Sequence, residues 1–316
     1  MLSNAALEIL DVLCSEQEAT VKNLAEETEL SQKQVYRVID DFLENGLVDE
    51  SRHHRNQRIA RLTDNPVVEA YHELNSKLGH VDWPDLLSPA TVRVCWYLDE
   101  PRRITAIADR LGITRQAVHK ALSPLKNRAM LAPGGPDYAL ADDLQPLCDF
   151  ATEVVAHEHR IRVRKLAPSA TVEWCDPKRA LVVVQTREDT DALGDASEWN
   201  LTGLAAFRQY DLQFFLAGEP AFWYVPDNQL TLADIVCHTL VLEVDSRRVS
   251  YAMLLIEQEQ IPEAELCETA VWYGIEPLIK QIYQFIEGDF DTTDEVGITI
   301  PTAQEYAELK DQYGVS

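Results

Sequence analysis

One string constrains the fold of this 316-residue chain more than any other: ITAIADRLGITRQAVHKAL, residues 104–122. It reads as a helix over 104–111, a three-residue turn and a second helix over 115–128. A small residue, Ala108, sits where the helices cross. Gly112 suits a left-handed turn position, and Thr114 is placed to cap the second helix. The β-branched Val118 faces inward with Leu122 and Leu125. Such a pair of helices crosses tightly and leaves the second one exposed on its outer side. Pro124 lies inside that second helix and is expected to kink or shorten it.

The same grammar occurs earlier. Ala6, Leu7, Leu10, Leu13 and Cys14 recur at helical spacing, and Thr20 caps a second helix over 21–27 with Leu24 and Ala25 inward. Leu30 closes a turn, Ser31 caps a third helix over 32–44, and Asn45-Gly46 ends it. The inward stripe of that helix is Val35, Val38, Ile39 and Phe42. Two β-prone pieces, 47–48 and 59–62, flank SRHHRNQR, a basic hairpin tip with Arg52, His53, His54, Arg55 and Arg58. Around the opening string, Ser88 and Pro89 start a helix through residue 98, and a shorter hairpin over 131–140 turns at Gly134-Gly135. Both stretches therefore predict a winged helix-turn-helix, with the last helix entering a major groove and the wing lying on flanking phosphates or the minor groove.

The outward residues fit that use. In the first unit they are Gln32, Lys33, Tyr36 and Arg37. In the second they are Arg115, Gln116, His119 and Lys120, with Thr114 at the cap. Gln pairs with adenine edges, and Arg or Lys with guanine. Arg52, Arg55 and Arg58 would take backbone or minor groove. A solvated polar helix face has the same pattern in isolation; the basic wing favours contact. One unit can also be a degenerate structural copy, and charge then singles out the first.

Charge makes this argument sharper. The chain carries 28 Lys+Arg against 53 Asp+Glu, net −25. Only 9 of the bases are Lys, and so acidic and lysine-poor a composition suggests a salt-in halophilic archaeon. Acidic charge normally argues against nucleic acid. Residues 86–141 nevertheless hold 8 bases and 4 acids, whereas residues 1–65 hold 7 and 13. At about 1 M salt the Debye length is only ~3 Å, so a reader must rely on close contacts and shape. Residues 166–316 carry net −19.

Residues 66–78 read as a linker helix and 144–165 as a longer connector, with Leu147, Phe150, Ala151, Val154, Val155 and Ile161 at near-helical spacing. The connector suits a dimer seam or packing against its own domains. His157 and His159 point apart on a helix and make a poor metal pair. Arg160, Arg162, Arg164 and Lys165 favour a helix C-terminus and could touch backbone phosphates. Beyond them, 171–174, 180–185, 212–216 and 221–225 read as strands, the last two flanking a Gly218-Glu219-Pro220 turn, and Thr202 caps a helix to 210. Four more helices follow: 232–243, 247–257, 263–273 and 276–287. Phe222-Trp223-Tyr224 reads as core or interface.

The expected fold is thus mainly α with small β wings, plus an α+β C-terminal domain. Its segments are winged helix 1 over 1–65, a linker over 66–87, winged helix 2 over 88–141, a connector over 142–168 and an acidic effector domain over 169–316. Six scattered cysteines read as buried free thiols. There is no phosphate loop, H-E-x-x-H or nucleophile elbow. The D-x-D pairs Asp189/Asp191 and Asp289/Asp291 lack a preceding Gly-Ser. The expectation is no enzyme, no metal and no cofactor. No signal peptide or membrane span is read, which suggests a cytoplasmic protein.

Residues 1–62 and 88–140 resemble the winged-helix regulator superfamily. LTGLAAFRQYDL (201–212), FWYVPDNQLTLADIVCHTLVLE (222–243), SYAMLLIEQ (250–258) and AVWYGIEPLIKQIYQFIEG (270–288) are similar to the antitoxin half of AbiE-type abortive-infection systems, archaeal relatives included. That resemblance implies a repressor of its own operon whose C-terminal domain opposes a nucleotidyltransferase-like toxin, although one winged helix is usual there and this chain has two. The expected function is a sequence-specific regulator of double-stranded DNA, an autorepressor acting as a homodimer. The alternatives are an antitoxin acting mainly by neutralisation and a one-component small-molecule sensor.

Overall fold

A computed structural model describes residues 2–52, 58–132, 136–214, 220–225, 230–288 and 300–315, with the side chain of Arg52 left aside. The chain is mainly helical with small antiparallel sheets, and it divides into two compact units, Met1–Ile161 and Arg162–Ser316.

The first unit opens with α1 (Asn4–Glu16), β1 (Glu18–Thr20), α2 (Val21–Glu27), α3 (Gln32–Glu44), β2 (Val48–Arg52) and β3 (Arg58–Leu62). The strands form one sheet in the order β1-β3-β2, with Thr20 opposite Ile59 and Arg52 opposite Arg58. Residues 53–57 between the last two strands, with Arg55, lie outside the described residues. Strand β1 went unread in the sequence because it is three residues long and doubles as the approach to the Thr20 cap. Helices α4 (Pro66–Lys77) and α5 (Trp83–Leu86) follow.

The element order then repeats. Helix α6 (Pro89–Cys95), β4 (Arg102–Arg103), α7 (Ile104–Leu111), α8 (Arg115–Asn127) and β5 (Asp137–Tyr138) follow in turn, with β4 antiparallel to β5 and Leu131 bridged to Leu140. The Gly134-Gly135 turn lies outside the described residues. Helix α8 runs through Pro124 to Asn127, so the proline does not shorten it there. The two repeats match position for position. Ser31 and Thr114 are the caps, Glu29 and Gly112 take the left-handed turn (φ 56° and 63°), and Val35 and Val118 are both buried.

Helix α9 (Gln145–Arg164) holds the repeats together. Leu147, Cys148, Phe150, Ala151, Val154 and Val155 are all buried. The Phe150 ring lies 5.2 Å from that of Tyr71 on α4, and Cys148 Sγ lies 3.9 Å from the Cys95 carbonyl on α6. His157, itself buried, donates from Nε2 to the carbonyl of Asn45, the C-cap of α3, at 3.0 Å. Glu158 pairs with Arg93 on α6 at 3.3 Å. The apolar side of α9 is thereby used within its own unit, which leaves it unavailable as the dimer seam that its sequence also suits. All six cysteines are free thiols, four of them buried.

In the second unit, β6 (Thr171–Cys175), β7 (Ala180–Val183), α10 (Arg187–Asp195), β8 (Trp199–Thr202) and β9 (Ala221–Tyr224) give a sheet in the order β6-β7-β9-β8. Strand β8 takes the place expected for 212–216. Residues 212–214 are not a strand: Leu212 is buried, and Phe214 stacks on Tyr251 at 3.8 Å. An alternation of apolar residues there serves an aromatic cluster rather than a ladder. Helices α11 (Leu232–Leu242), α12 (Ser246–Glu259), α13 (Glu263–Ala270), α14 (Glu276–Glu287) and α15 (Ala303–Tyr313) complete the unit, and Phe222, Trp223 and Tyr224 are core.

One polar group corrects the sequence reading here. Thr202 makes no capping bond to the 3-10 helix that follows it (Gly203–Tyr210). Its hydroxyl instead lies 2.7 Å from His238 Nδ1, deep in the core. Tyr273 donates to Asp234 at 3.2 Å and its oxygen meets His238 Nε2 at 2.9 Å. The hydrogen therefore sits on Nε2, and Nδ1 accepts from Thr202. Asp189, of the first D-x-D pair, accepts from the Ser169 hydroxyl and from its N–H at 2.8 Å. Those bonds hold its carboxyl below the ordinary range, so its contribution to stability is present above the unfolded value and lost as pH falls through the lowered one. Asp289 and Asp291 lie outside the described residues.

Truncating Phe150 to Ala tests the role of α9. Loss of its fully buried ring should cost the first unit about 3–5 kcal/mol in denaturant unfolding. A loss under about 1 kcal/mol would show that α9 contributes little to joining the repeats.

Candidate nucleic-acid interface

The exposed faces of α3 and α8 are built from their N-terminal caps outward. Ser31 Oγ accepts from the Gln34 N–H at 3.4 Å, while Gln34 Oε1 accepts from the Ser31 N–H at 3.1 Å, a closed capping box. Thr114 accepts from the Ala117 N–H at 3.2 Å. Both caps fix the first turn of a helix whose N-terminal end carries partial positive charge. On it, Gln32, Lys33, Tyr36 and Arg37 are exposed, and so are Thr114, Arg115, Gln116, His119 and Lys120. The residues singled out on each helix therefore share one outward face, opposite the buried Val35, Ile39 and Phe42 in α3 and Val118, Leu122 and Leu125 in α8. Val38, expected inward, is half-buried.

Ion pairing separates the cations that are free to meet an anion. In the second repeat, Arg93 pairs with Glu158, Arg102 with Glu100, Arg103 with Asp137 and Arg128 with Asp85. Among the described residues, Arg115, Lys120 and Lys126 have no such partner, and all three are exposed on α8. In the first repeat Lys22 pairs with Glu26, and Lys33 and Arg37 on α3 have no carboxylate partner among the described residues. Of the bases ending α9, Arg160 pairs with Glu153 at 2.9 Å and Arg162 lies over the Tyr224 ring at 4.4 Å.

Arg58 departs from its expected place at a phosphate. Its side chain is only 17% exposed and reaches Asp40 at 2.6 Å and Glu50 at 2.9 Å. Burial works against its charge, but the two carboxylates outweigh it and hold the guanidinium above its ordinary pKa. A cation shared by two carboxylates has little left for a phosphate; here it pins the hairpin to α3. Its guanidinium also stands 5.9 Å from the centre of the Tyr36 ring. At the matching position in the second repeat, His119 meets Tyr138 of β5 edge-on at 6.1 Å. Tyr36 and His119 thus join each exposed helix to its hairpin, besides facing outward. Sequence reasoning missed Asp40 and Glu50. The signal was the hairpin register, which sets Glu50 two residues from Arg52, the position opposite Arg58, and so on the same face of the sheet; register is not readable until the loop length between strands is fixed. The side chains of Arg52 and Arg55 lie outside the described residues.

Comparison with known proteins adds a match in the second unit. A family model described as HVO_2833_C, C-terminal, matches residues 196–315. Its description names no activity. No curated protein matches the chain. Among solved structures, the mRNA-binding domain of elongation factor SelB from E. coli in complex with SECIS RNA matches at 17% identity, covering 45% of this chain and 100% of that one. Its TM-score is 0.16, so neither its fold nor its RNA carries over to this chain.

Replacing Arg58 with Ala leaves Asp40 and Glu50 facing each other and should destabilise the first unit by about 1–3 kcal/mol. Adding Asp40→Asn and Glu50→Gln should return most of that loss in thermal unfolding. An unchanged deficit would show that the packing of the side chain, rather than its charge, is what matters.

Proposed function

We propose that the chain is a sequence-specific regulator that binds double-stranded DNA through two tandem winged helices. The observation that carries this reading is the second repeat's charge pattern. Its bases near the hairpin and α6 are ion-paired, while among the described residues Arg115, Lys120 and Lys126 stand without carboxylate partners on one exposed helix. In a chain of net −25, an unneutralised cationic helix behind a capped N-terminus favours an anionic partner. The helix, strand, helix, helix, hairpin order of both repeats supports the choice of a duplex, whose major groove admits a helix of this width. Arg115, Gln116 and Lys120, with Gln32, Lys33 and Arg37, are the base-reading candidates. The acidic second unit would then serve as the effector, with a protein as its partner.

A second reading makes neutralisation of a nucleotidyltransferase-like toxin the main role. It rests on the AbiE-type resemblance and on the net charge of −19 over residues 166–316, which suits a basic protein. A neighbouring nucleotidyltransferase gene is what it expects.

Footprinting on the DNA upstream of its own gene, at about 1 M KCl where general phosphate attraction is screened, tests the first reading. The full chain should protect a defined site. Arg115→Ala with Lys120→Ala should weaken that binding about 10- to 100-fold, as loss of base contacts does, with the circular dichroism spectrum unchanged. Wild-type affinity in this variant would remove α8 as the reading helix.

A further inference from the structure

The two repeats sit in one compact unit, and a continuous path of contacts links their exposed helices. From α3 it runs through the Asn45 carbonyl to His157 on α9, at 3.0 Å. From α9 it passes to α6 through Cys148 against the Cys95 carbonyl and through Glu158 to Arg93. From α6 it reaches α8 through the buried Thr91 hydroxyl, which donates to the Ala121 carbonyl at 3.1 Å. Each step uses a backbone carbonyl, a buried side chain or an ion pair, and the helices between the steps are rigid on this scale. Between them, α4 adds the Tyr71–Phe150 contact. Tandem DNA-binding modules on a loose tether would need none of this.

Size limits what such a body can span. A compact unit of about 160 residues has a radius of gyration near 15 Å and is roughly 40 Å across. The centres of α3 and α8 therefore fall within about one turn of B-DNA, ~34–36 Å.

Resting on the DNA-binding reading above, we propose that one copy of this chain is a composite reader: α3 and α8 engage two unlike half-sites on a single duplex at one fixed spacing. The half-sites differ because the faces differ, Gln32, Lys33 and Arg37 against Arg115, Gln116 and Lys120. No second copy is required to double the contact area, which agrees with α9 spending its apolar side inside its own unit. Fixed spacing also supplies selectivity where salt removes long-range attraction: each helix alone contacts only a few base pairs, and the rigid link makes the two contacts simultaneous rather than sequential.

The probe is the duplex that the full-length protein selects from a randomised pool at about 1 M KCl. Binding should be asymmetric in sequence, with one protein per duplex by sedimentation. Lys33→Ala with Arg37→Ala should erase protection of one half-site, and Arg115→Ala with Lys120→Ala protection of the other. Inserting about five base pairs between the half-sites, half a helical turn, should lower affinity on the order of 100-fold, and inserting about ten should not restore it, because a rigid body cannot stretch. Affinity within about two-fold of the parent for both insertions would overturn the proposal, since independent or tethered modules behave that way. A dyad-symmetric site occupied by two proteins would also overturn it, while leaving the DNA-binding reading intact. Selection of no sequence at all would remove that reading itself.

Discussion

The contact on which the first unit depends is the apolar side of α9 buried against two repeats that otherwise need not touch. Leu147, Phe150, Ala151, Val154 and Val155 are all buried, with Phe150 against Tyr71 of α4 and the neighbouring Cys148 against the Cys95 carbonyl of α6. Burial of five such side chains contributes several kcal/mol even at the conservative figure of about 1.5 kcal/mol for a fully buried aliphatic group. Without it, each repeat would be a small three-helix body with a two- or three-stranded sheet, near the lower limit at which a domain sustains its own core. The His157 bond to Asn45 adds direction to this non-directional attraction, because a hydrogen bond weakens steeply as the angle at its donor bends.

Electrostatics follow from the same construction. An acidic chain that presents basic helices must keep its carboxylates from neutralising them. In the second repeat the arginines near acids are already paired, and the helix that faces outward has no Asp or Glu along its 13 residues. In the first repeat the acids of α3 are not absent but occupied or displaced toward its C-terminal half: Asp40 is held by Arg58, and Asp41 accepts from Asn45. The cost is that Arg58 no longer counts among the outward cations. The difference between repeats is therefore one of kind, with α8 carrying charge openly and α3 carrying it beside an internal ion pair.

The second unit is organised around a buried polar chain rather than a surface site. Thr202, His238, Tyr273 and Asp234 join β8, α11 and the turn after α13 in one direction of donation, with Trp223 packed 4.3 Å from the imidazole. A fully satisfied network of this sort fixes the relative placement of its elements, because any other arrangement would leave a buried polar group unpaired. Its parts were read in sequence as a cap, a helix residue and an apolar run, each plausible locally.

The helices of the first unit were legible residue by residue. Ser31, Thr114 and Gly112 act within three or four positions of themselves, so caps, turn and the 3.6 periodicity of Val35, Ile39 and Phe42 could be read without the fold. The outward faces of α3 and α8 follow from the same periodicity. What needed tertiary structure was every assignment resting on a distant partner. Arg58 became an internal anchor because strand register brought it to Glu50 and α3 brought it to Asp40. Strand β8 replaced 212–216 because edge pairing with β9 outweighed a local apolar pattern, and α9 became a strut because surfaces some 50 to 110 residues away met its apolar side. Local hydrogen bonds and periodicity are properties of a short window of sequence; register, ion pairing and burial are decided by which windows meet.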